Sequence, residues 1–254
     1  MPPVTSYFVP TEKTSPLFAA AFAAGCGGDV AADDALRPGD VAMFGSVARW
    51  DVLLQARREG RSWYYCDHAY FGRFHYYRVT RNAFQHDGAG EADLNLPRRH
   101  GVAIKPWQPR GAHILVCPPD RAFEGLMIQA GVLEAPGWGS RTVDIMRRHT
   151  DRPIVVRDRS QAGQRPLAQD LQDCWALVTF MSNAAIEAAM AGIPVFATGP
   201  CAARAIGRTA LSQIEDPIYP ERHQFAANLL AQQWTMQEIA DGTCWRALQA
   251  RRIA

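Results

Sequence analysis

No apolar run in this sequence reaches the roughly 18 residues that a membrane-crossing helix needs. The apolar stretch LFAAAFAAGC has only ten residues, the length of a core helix. The opening MPPVTSYFVPTEK has no basic region ahead of an apolar segment, so it is not read as a secretory signal, and a cytoplasmic setting is expected. The six cysteines (26, 66, 117, 174, 201 and 244) form no CxxC and no Cys/His ligand spacing. Most lie in apolar runs such as LVCPP and DCWALV, which predicts buried free thiols rather than a zinc or disulfide framework. No GxxxxGK[ST], GxGxxG or GxSxG occurs, so P-loop, dinucleotide and α/β-hydrolase readings have no motif behind them. Lysine is almost missing: Lys13 and Lys105 are the only two among 27 basic residues.

What is present is charge of uneven placement. The formal net charge is +2, yet Arg57 to Arg110 holds ten basic residues against five acidic ones, with four histidines besides. The rest of the chain is about neutral to acidic. Short apolar runs alternate with helical patterns. SYFVP reads as a strand and SPLFAAAFAAGC as a helix with Ser15 as N-cap and Pro16 in its first position. DVAMFGS, an amphipathic VARWDVLLQARREG closing on Gly60, and the aromatic SWYYCDHAYF continue the strand–helix–strand rhythm. From Asn82 to Arg110 no period is visible, and a loop is expected there. A second series follows: AHILVCPP, a GWGS turn with Ser140 as N-cap of the next helix, RPIVVRD, PLAQDLQD, WALVTF, NAAIEAAMAG and PVFAT, then a helical tail. Continuous apolar strands of this kind are covered on both faces, so the expected class is α/β with parallel sheets.

In WALVTFMSNAAIEAAMAGIPVFATG, Ser182 and Asn183 fall where a strand ends and a helix begins. Free N–H groups and the positive end of the helix dipole favour phosphate there. Glu187, a turn further on, is within reach of a ribose hydroxyl. An ordinary N-cap followed by an exposed Glu is the equal alternative.

The stretch LVTFMSNAAIEAAMAGIPVFATG resembles the donor-binding segment of GT-B glycosyltransferases, in particular the capsule-polysaccharide transferase type, in which a Ser-rich turn precedes EA…G.PV. RPIVVRD is similar to their strand ending in a basic residue, so the resemblance implies that Arg157 faces the donor phosphates. HILVCPPD is similar to the first strand and loop of their C-terminal domain, which adds Pro118, and Ser140 follows in the GWGS turn. The resemblance covers roughly residues 111 to 200. It implies two Rossmann-like halves in a compact GT-B-type arrangement, with the site in the cleft between them. It further implies a nucleotide-sugar co-substrate, a UDP-sugar first, with no cofactor and no metal. The expected division is 1–105 for the acceptor half and 106–254 for the donor half with its terminal helices.

The acceptor half has its own dense stretch, WYYCDHAYFGRFHYYRVTRNAFQH. Asp67 and His68 close an apolar strand, the edge where α/β sheets place their sites. A carboxylate or imidazole there can take the proton of an acceptor hydroxyl, Asp67 first and His68 second. An Asp capping the next helix is an equal alternative. Tyr70, Arg73, Tyr77, Arg78, Arg81 and Asn82 interleave aromatic and phosphate-binding side chains, a mixture suited to nucleic acid. The alternative is a packed aromatic cluster with ion-paired arginines. The Phe44–Ser46 turn is a weaker candidate for the same cleft. Together these features predict a glycosyltransferase acting on a hydroxyl, with a hydroxymethylated base in double-stranded DNA as the acceptor, as in phage DNA glycosyltransferases. The alternatives are a saccharide acceptor, a nucleotide-sugar epimerase or hydrolase, and a non-catalytic nucleic-acid-binding protein.

Overall fold

The structure, a computed structural model, describes residues 2–33, 35–45, 49–158 and 165–251. The chain begins β1 (Val4–Tyr7), α1 (Thr14–Cys26), β2 (Asp29–Ala31), β3 (Asp40–Phe44), α2 (Trp50–Arg58), β4 (Trp63–His68), β5 (Tyr77–Arg81). It continues α3 (Leu96–Arg99), β6 (His113–Cys117), α4 (Arg121–Gln129), α5 (Trp138–Met146), β7 (Ile154–Val156), α6 (Leu167–Asp170). Then come β8 (Cys174–Thr179), α7 (Ala184–Met190), β9 (Val195–Ala197), α8 (His223–Leu230), β10 (Gln233–Trp234), α9 (Met236–Ala240) and α10 (Thr243–Ala250).

Two compact units result, residues 1–84 with 232–254, and residues 85–231. This differs from the division expected at residue 105 in two ways. The loop after Phe84 belongs with the second unit, where Asn228 Nδ2 donates to Gly88 O and Gly90 O at 2.8 and 2.9 Å. The terminal helices belong with the first unit, because Ile239, Cys244 and Leu248 join Phe22, Tyr64 and Val79 in one buried cluster.

In the first unit the sheet order is β10-β5-β4-β3-β1-β2. The four strands β2, β1, β3 and β4 are parallel, β5 is antiparallel to β4, and β10 is antiparallel to β5. The alternation of side chains along β4 divides its aromatics between two faces. Tyr64 meets Trp245 of α10 and Phe22 of α1 at 5.3 and 5.4 Å between ring centres. On the other face Trp63 and Trp50 of α2 meet Phe84 at 5.0 and 5.1 Å. Each such buried side chain stabilises the unit by about 1.5–3 kcal/mol relative to exposure. Ser15 lies inside α1 rather than capping it, and its hydroxyl accepts from Val9 N at 3.1 Å.

The second unit is a parallel sheet of order β7-β6-β8-β9. Strand β8 is buried along its whole length, in keeping with cover on both faces. Helix α7 stops at Gly192, whose φ of +90° is left-handed and whose Cβ would fall 2.1 Å from Pro106 O. Gly192 N donates to Ala189 O and Ile193 N to Ala188 O at 3.1 and 2.9 Å, which satisfies the last carbonyls of the helix. Only glycine meets both the backbone angle and the close approach.

All six cysteines are free, five of them buried. Burial pushes the Cys117 and Cys174 thiols up to about 12, so neither is a nucleophile at neutral pH. No helix among the described residues is long and apolar enough to cross a membrane.

Candidate functional sites

In each unit the first parallel strand (β1 or β6) lies between the second and third, so successive crossovers leave in opposite directions. Such a reversal opens a crevice at the carboxyl ends of the two strands involved. Those ends are Tyr7 and Phe44 in the first unit, and Cys117 and Thr179 in the second.

At the second crevice, Thr179 Oγ1 donates to Cys117 O at 2.7 Å and accepts from Ser182 N at 3.3 Å. The loop ends of β6 and β8 are thereby pinned together. Ser182 Oγ accepts from Ala184 N at 3.2 Å, and Asn183, the N-cap residue of α7, is half-buried while Glu187 is exposed. Gln85 braces this turn from outside the motif: its Nε2 donates to Met181 O at 2.7 Å and its Oε1 accepts from Ala202 N at 2.9 Å. Gln85 sits in a stretch expected to be structureless loop, and nothing in the local sequence marks it.

Pro118 follows β6 at this same edge, packed near Gly139, where an added Cβ would lie 3.2 Å from Pro118 Cβ. Ser140 is not the N-cap of α5. Gly137, in the left-handed conformation, takes that place, and the exposed Ser140 hydroxyl donates to Gly137 O at 3.0 Å. Trp138 instead turns inward. Its backbone N donates to Glu124 Oε1 at 2.7 Å and its indole Nε1 to Thr198 Oγ1 at 2.9 Å. Trp138 and Thr198 open onto a pocket of about 440 Å³, lined also by Arg141, Thr142, Ile145 and Leu211.

Arg157 stands at the end of β7 as expected, but it is 8% exposed and engaged within the protein. It forms an ion pair with the buried Asp170 of α6 and donates through Nη2 to Arg165 O at 2.6 Å. A guanidinium taken out of water requires a carboxylate beside it, and Asp170 supplies one. These two nitrogens therefore serve the fold rather than a ligand.

In the first unit Asp67 and His68 do close β4. Asp67 Oδ2 accepts from Arg78 Nη2 at 2.7 Å, and Oδ1 from His68 N at 2.7 Å. Arg78 is 2% exposed and donates through Nη1 to His68 O at 2.6 Å. The pairing follows from the antiparallel register, which sets Asp67 directly opposite Arg78. Burial opposes the Arg78 charge most strongly, but the Asp67 carboxylate, joined by Tyr70, Tyr65 and Cys66, holds the guanidinium above its ordinary value. Both carboxylate oxygens of Asp67 thus have partners within the unit. Gly45, of the turn after β3, lies against Asp67 (an added Cβ would be in ordinary contact, 3.7 Å from Asp67 Oδ1), and Ser46 of that turn lies outside the described residues.

His68 has a different setting. Its ring lies 4.8, 5.4 and 5.9 Å from those of Phe74, Phe44 and Tyr77. Nδ1 is enclosed and makes no hydrogen bond within the described protein. Burial holds the imidazole below its ordinary value near 6.5, Asp67 opposing and Arg73 and Arg78 reinforcing the shift. His68 is thus neutral at pH 7 and able to accept a proton.

The other expected acceptor residues do not form one surface. Arg78 and Tyr70 are buried, the guanidinium 5.0 Å from the Tyr70 ring centre. Arg81 stands opposite Tyr64, about 10 Å back along the strand from Asp67. It donates to Ser62 Oγ at 2.7 Å. Asn82, with φ of +53°, is a turn residue whose Oδ1 accepts from Trp63 N at 2.9 Å. At the His68 end of the strand, where Arg78 and Tyr70 are buried, Arg73 is exposed and Tyr77 half-buried. Phe74, absent from the sequence reading, joins them, with a left-handed φ of +74° that costs a bulky residue about 1–2 kcal/mol. No group of three or more His, Cys, Asp or Glu side chains among the described residues could hold a metal ion.

No family model matches the chain, and no curated protein matches it. Among solved structures it is similar to Thermosulfurimonas dismutans KpsC, beta Kdo 2,7 transferase. The identity is 12% and the TM-score 0.54, over 99% of this chain and 100% of that one. KpsC, beta Kdo 2,4 transferase, of the same organism gives 13% identity and a TM-score of 0.47, over 89% of each chain. The first comparison shows the fold: α/β, with two Rossmann-like units.

Proposed function

We propose that this protein is a metal-independent glycosyltransferase of GT-B type. The second unit binds a nucleotide-sugar, and the first presents a hydroxyl acceptor to His68. The observation that carries the reading is the end-to-end likeness of fold to a KpsC transferase, joined to polar residues gathered at a strand-reversal crevice. In the second unit, the Ser182 hydroxyl and the Asn183 amide receive the diphosphate, and Glu187 a sugar hydroxyl. Pro118 and Ser140 border that crevice.

In the first unit, His68 takes the proton of the attacking hydroxyl as the new glycosidic bond forms. Asp67, fastened to Arg78, holds the end of β4 in place. The acceptor is a saccharide hydroxyl. The hydroxymethylated DNA base has weaker support, since Arg78 is buried and Arg81 and Asn82 lie at the far end of the strand, leaving Arg73 as the arginine beside His68. The test is a thermal-shift and transfer screen with UDP-, GDP- and CMP-sugars, UDP-sugars first. A donor that raises the melting temperature and passes its sugar to a saccharide supports the reading. Donor turnover unaffected by any acceptor points to a hydrolase or epimerase. Salt-sensitive DNA affinity without donor binding points to a nucleic-acid-binding protein.

A further inference from the structure

Two backbone rungs tie the chain after β9 to the chain leaving β8. Thr198 N donates to Thr179 O at 3.1 Å, and Gly199 N to Phe180 O at 2.8 Å. The next rung would join Pro200 to Met181, but proline has no N–H to offer. Gln85 takes its place. Its Nε2 donates to Met181 O at 2.7 Å, and its Oε1 accepts from Ala202 N at 2.9 Å. The residue is 7% exposed, so both backbone groups depend on this one side chain and not on water.

These two bonds also dictate polarity. A carbonyl only accepts and a backbone N–H only donates, so the Gln85 amide is held with its NH2 group towards Met181 and its oxygen towards Ala202. That NH2 group carries a second hydrogen, and Asn183 Oδ1 stands 3.5 Å from the nitrogen. A hydrogen-bond donor on that side draws the oxygen of the Asn183 amide towards Gln85. The NH2 end of Asn183 is then the end that meets an anion. Without Gln85 this bias is lost, because the two ends of an amide are nearly equal in shape.

We infer that Gln85 is a positioning residue for the Met181–Asn183 turn. It relays the polarity of the Met181 carbonyl to Asn183, and so presents the Asn183 NH2 group to the phosphate of the nucleotide-sugar. It acts through Asn183 and not by contact with the ligand. The ligand is taken from the transferase reading, whereas the orientation of Asn183 belongs to the protein alone. A residue that only stabilised the turn would leave the Asn183 amide indifferent to its replacement.

The test follows the intact protein by side-chain amide NMR, first without ligand and then during titration with inorganic pyrophosphate. Q85M removes both bonds of the amide. It should melt lower than wild type and shift the Asn183 NH2 signals before any ligand is added. Below its melting range its pyrophosphate affinity should fall about tenfold. In an N183A background Q85M should cost less than about a further twofold, because the two side chains act as one unit. Q85E keeps an acceptor for Ala202 N but offers Asn183 a carboxylate, which turns that amide round. Its Asn183 NH2 group should exchange with water more slowly than in wild type, and affinity should fall at least as far as in Q85M. Unchanged Asn183 signals in Q85M, wild-type affinity in the folded variant, or fully additive losses with N183A would each overturn the positioning role. If wild type takes neither pyrophosphate nor any nucleotide-sugar while Q85M still shifts the Asn183 signals, the transferase reading falls and the orientation of Asn183 by Gln85 stands.

Discussion

In the first unit the parallel order β2-β1-β3-β4 continues into two antiparallel strands, whereas in the second the order β7-β6-β8-β9 is parallel throughout. The added strands change what the carboxyl edge of the sheet offers. Strand β5 returns beside β4 and sets Arg78 against Asp67 and Tyr77 against His68, so that edge is made of large side chains. In the second unit each strand end passes into a loop or short helix, and the edge offers hydroxyls and one amide. Rings and an imidazole suit an acceptor sugar. Small polar donors suit phosphate. The same four-strand order carries both.

Each unit also holds an Arg–Asp pair close to its carboxyl edge, and the two pairs differ in depth. Asp170 is 2% exposed in its side chain, while Asp67 is 31% exposed. D170A strands the buried Arg157 charge and is expected to cost about 3–5 kcal/mol in urea unfolding. D67N should cost less, because the amide oxygen that replaces the carboxylate can still accept from Arg78 Nη2. Equal losses would break the contrast. If R157A leaves unfolding unchanged and weakens donor binding instead, the guanidinium belongs to the donor after all.

Strands β6, β8 and β9 of the second unit were readable because each is a short apolar run with a buried interior, bounded by turn residues, and too short for a helix. Strand β5 was not. YRVTR is only five residues with two arginines and no turn signal directly before it, and its inward Arg78 acquires a partner only once the register with β4 is known. Strand β10 is two residues long and pairs with a strand 155 positions earlier by the Gln233–Arg78 register, which no local pattern reveals. At the candidate sites, strand-end positions were legible for Asp67, His68, Ser182 and Arg157. Side-chain engagement was not, and it separates the buried Arg157 and Arg78 from the exposed Arg73.

The next largest effect concerns His68. H68Q keeps a polar group among the three rings but removes the base, so turnover should fall by about a hundredfold while donor affinity holds. Because burial favours the neutral ring, the folded value lies below the ordinary 6.5. Wild-type activity should therefore be full at pH 7 and decline only as pH falls through that lower value, with the acidic limb absent in H68Q. The stability held by the neutral imidazole has the same sign, present above the unfolded value and lost towards acid. An acidic limb above pH 6.5, or one that persists in H68Q, would shift the role of base to another residue.

Donor binding tests the second edge. Glu187 is exposed in the first turn of α7, so E187A should leave unfolding nearly unchanged. Its loss should weaken nucleotide-sugar binding by about 1–3 kcal/mol, the scale of a hydrogen bond to a charged group. Calorimetry showing wild-type affinity in the folded variant would take Glu187 out of the donor site.

The smallest effect is expected at Ser140, where the two crevices are most easily confused with ordinary helix ends. Had Ser140 capped α5, its replacement would cost about 0.5–2 kcal/mol. Gly137 holds the cap position, however, and the Ser140 hydroxyl is exposed with a single bond to Gly137 O. S140A should therefore change unfolding by less than about 0.5 kcal/mol, the range of surface substitutions. A change in donor affinity in this well-folded variant then has one reading, a direct contact between the hydroxyl and the nucleotide-sugar. Wild-type affinity would confine the donor to the Ser182–Glu187 turn and the neighbouring Pro118, narrowing the second edge to the ends of β6 and β8.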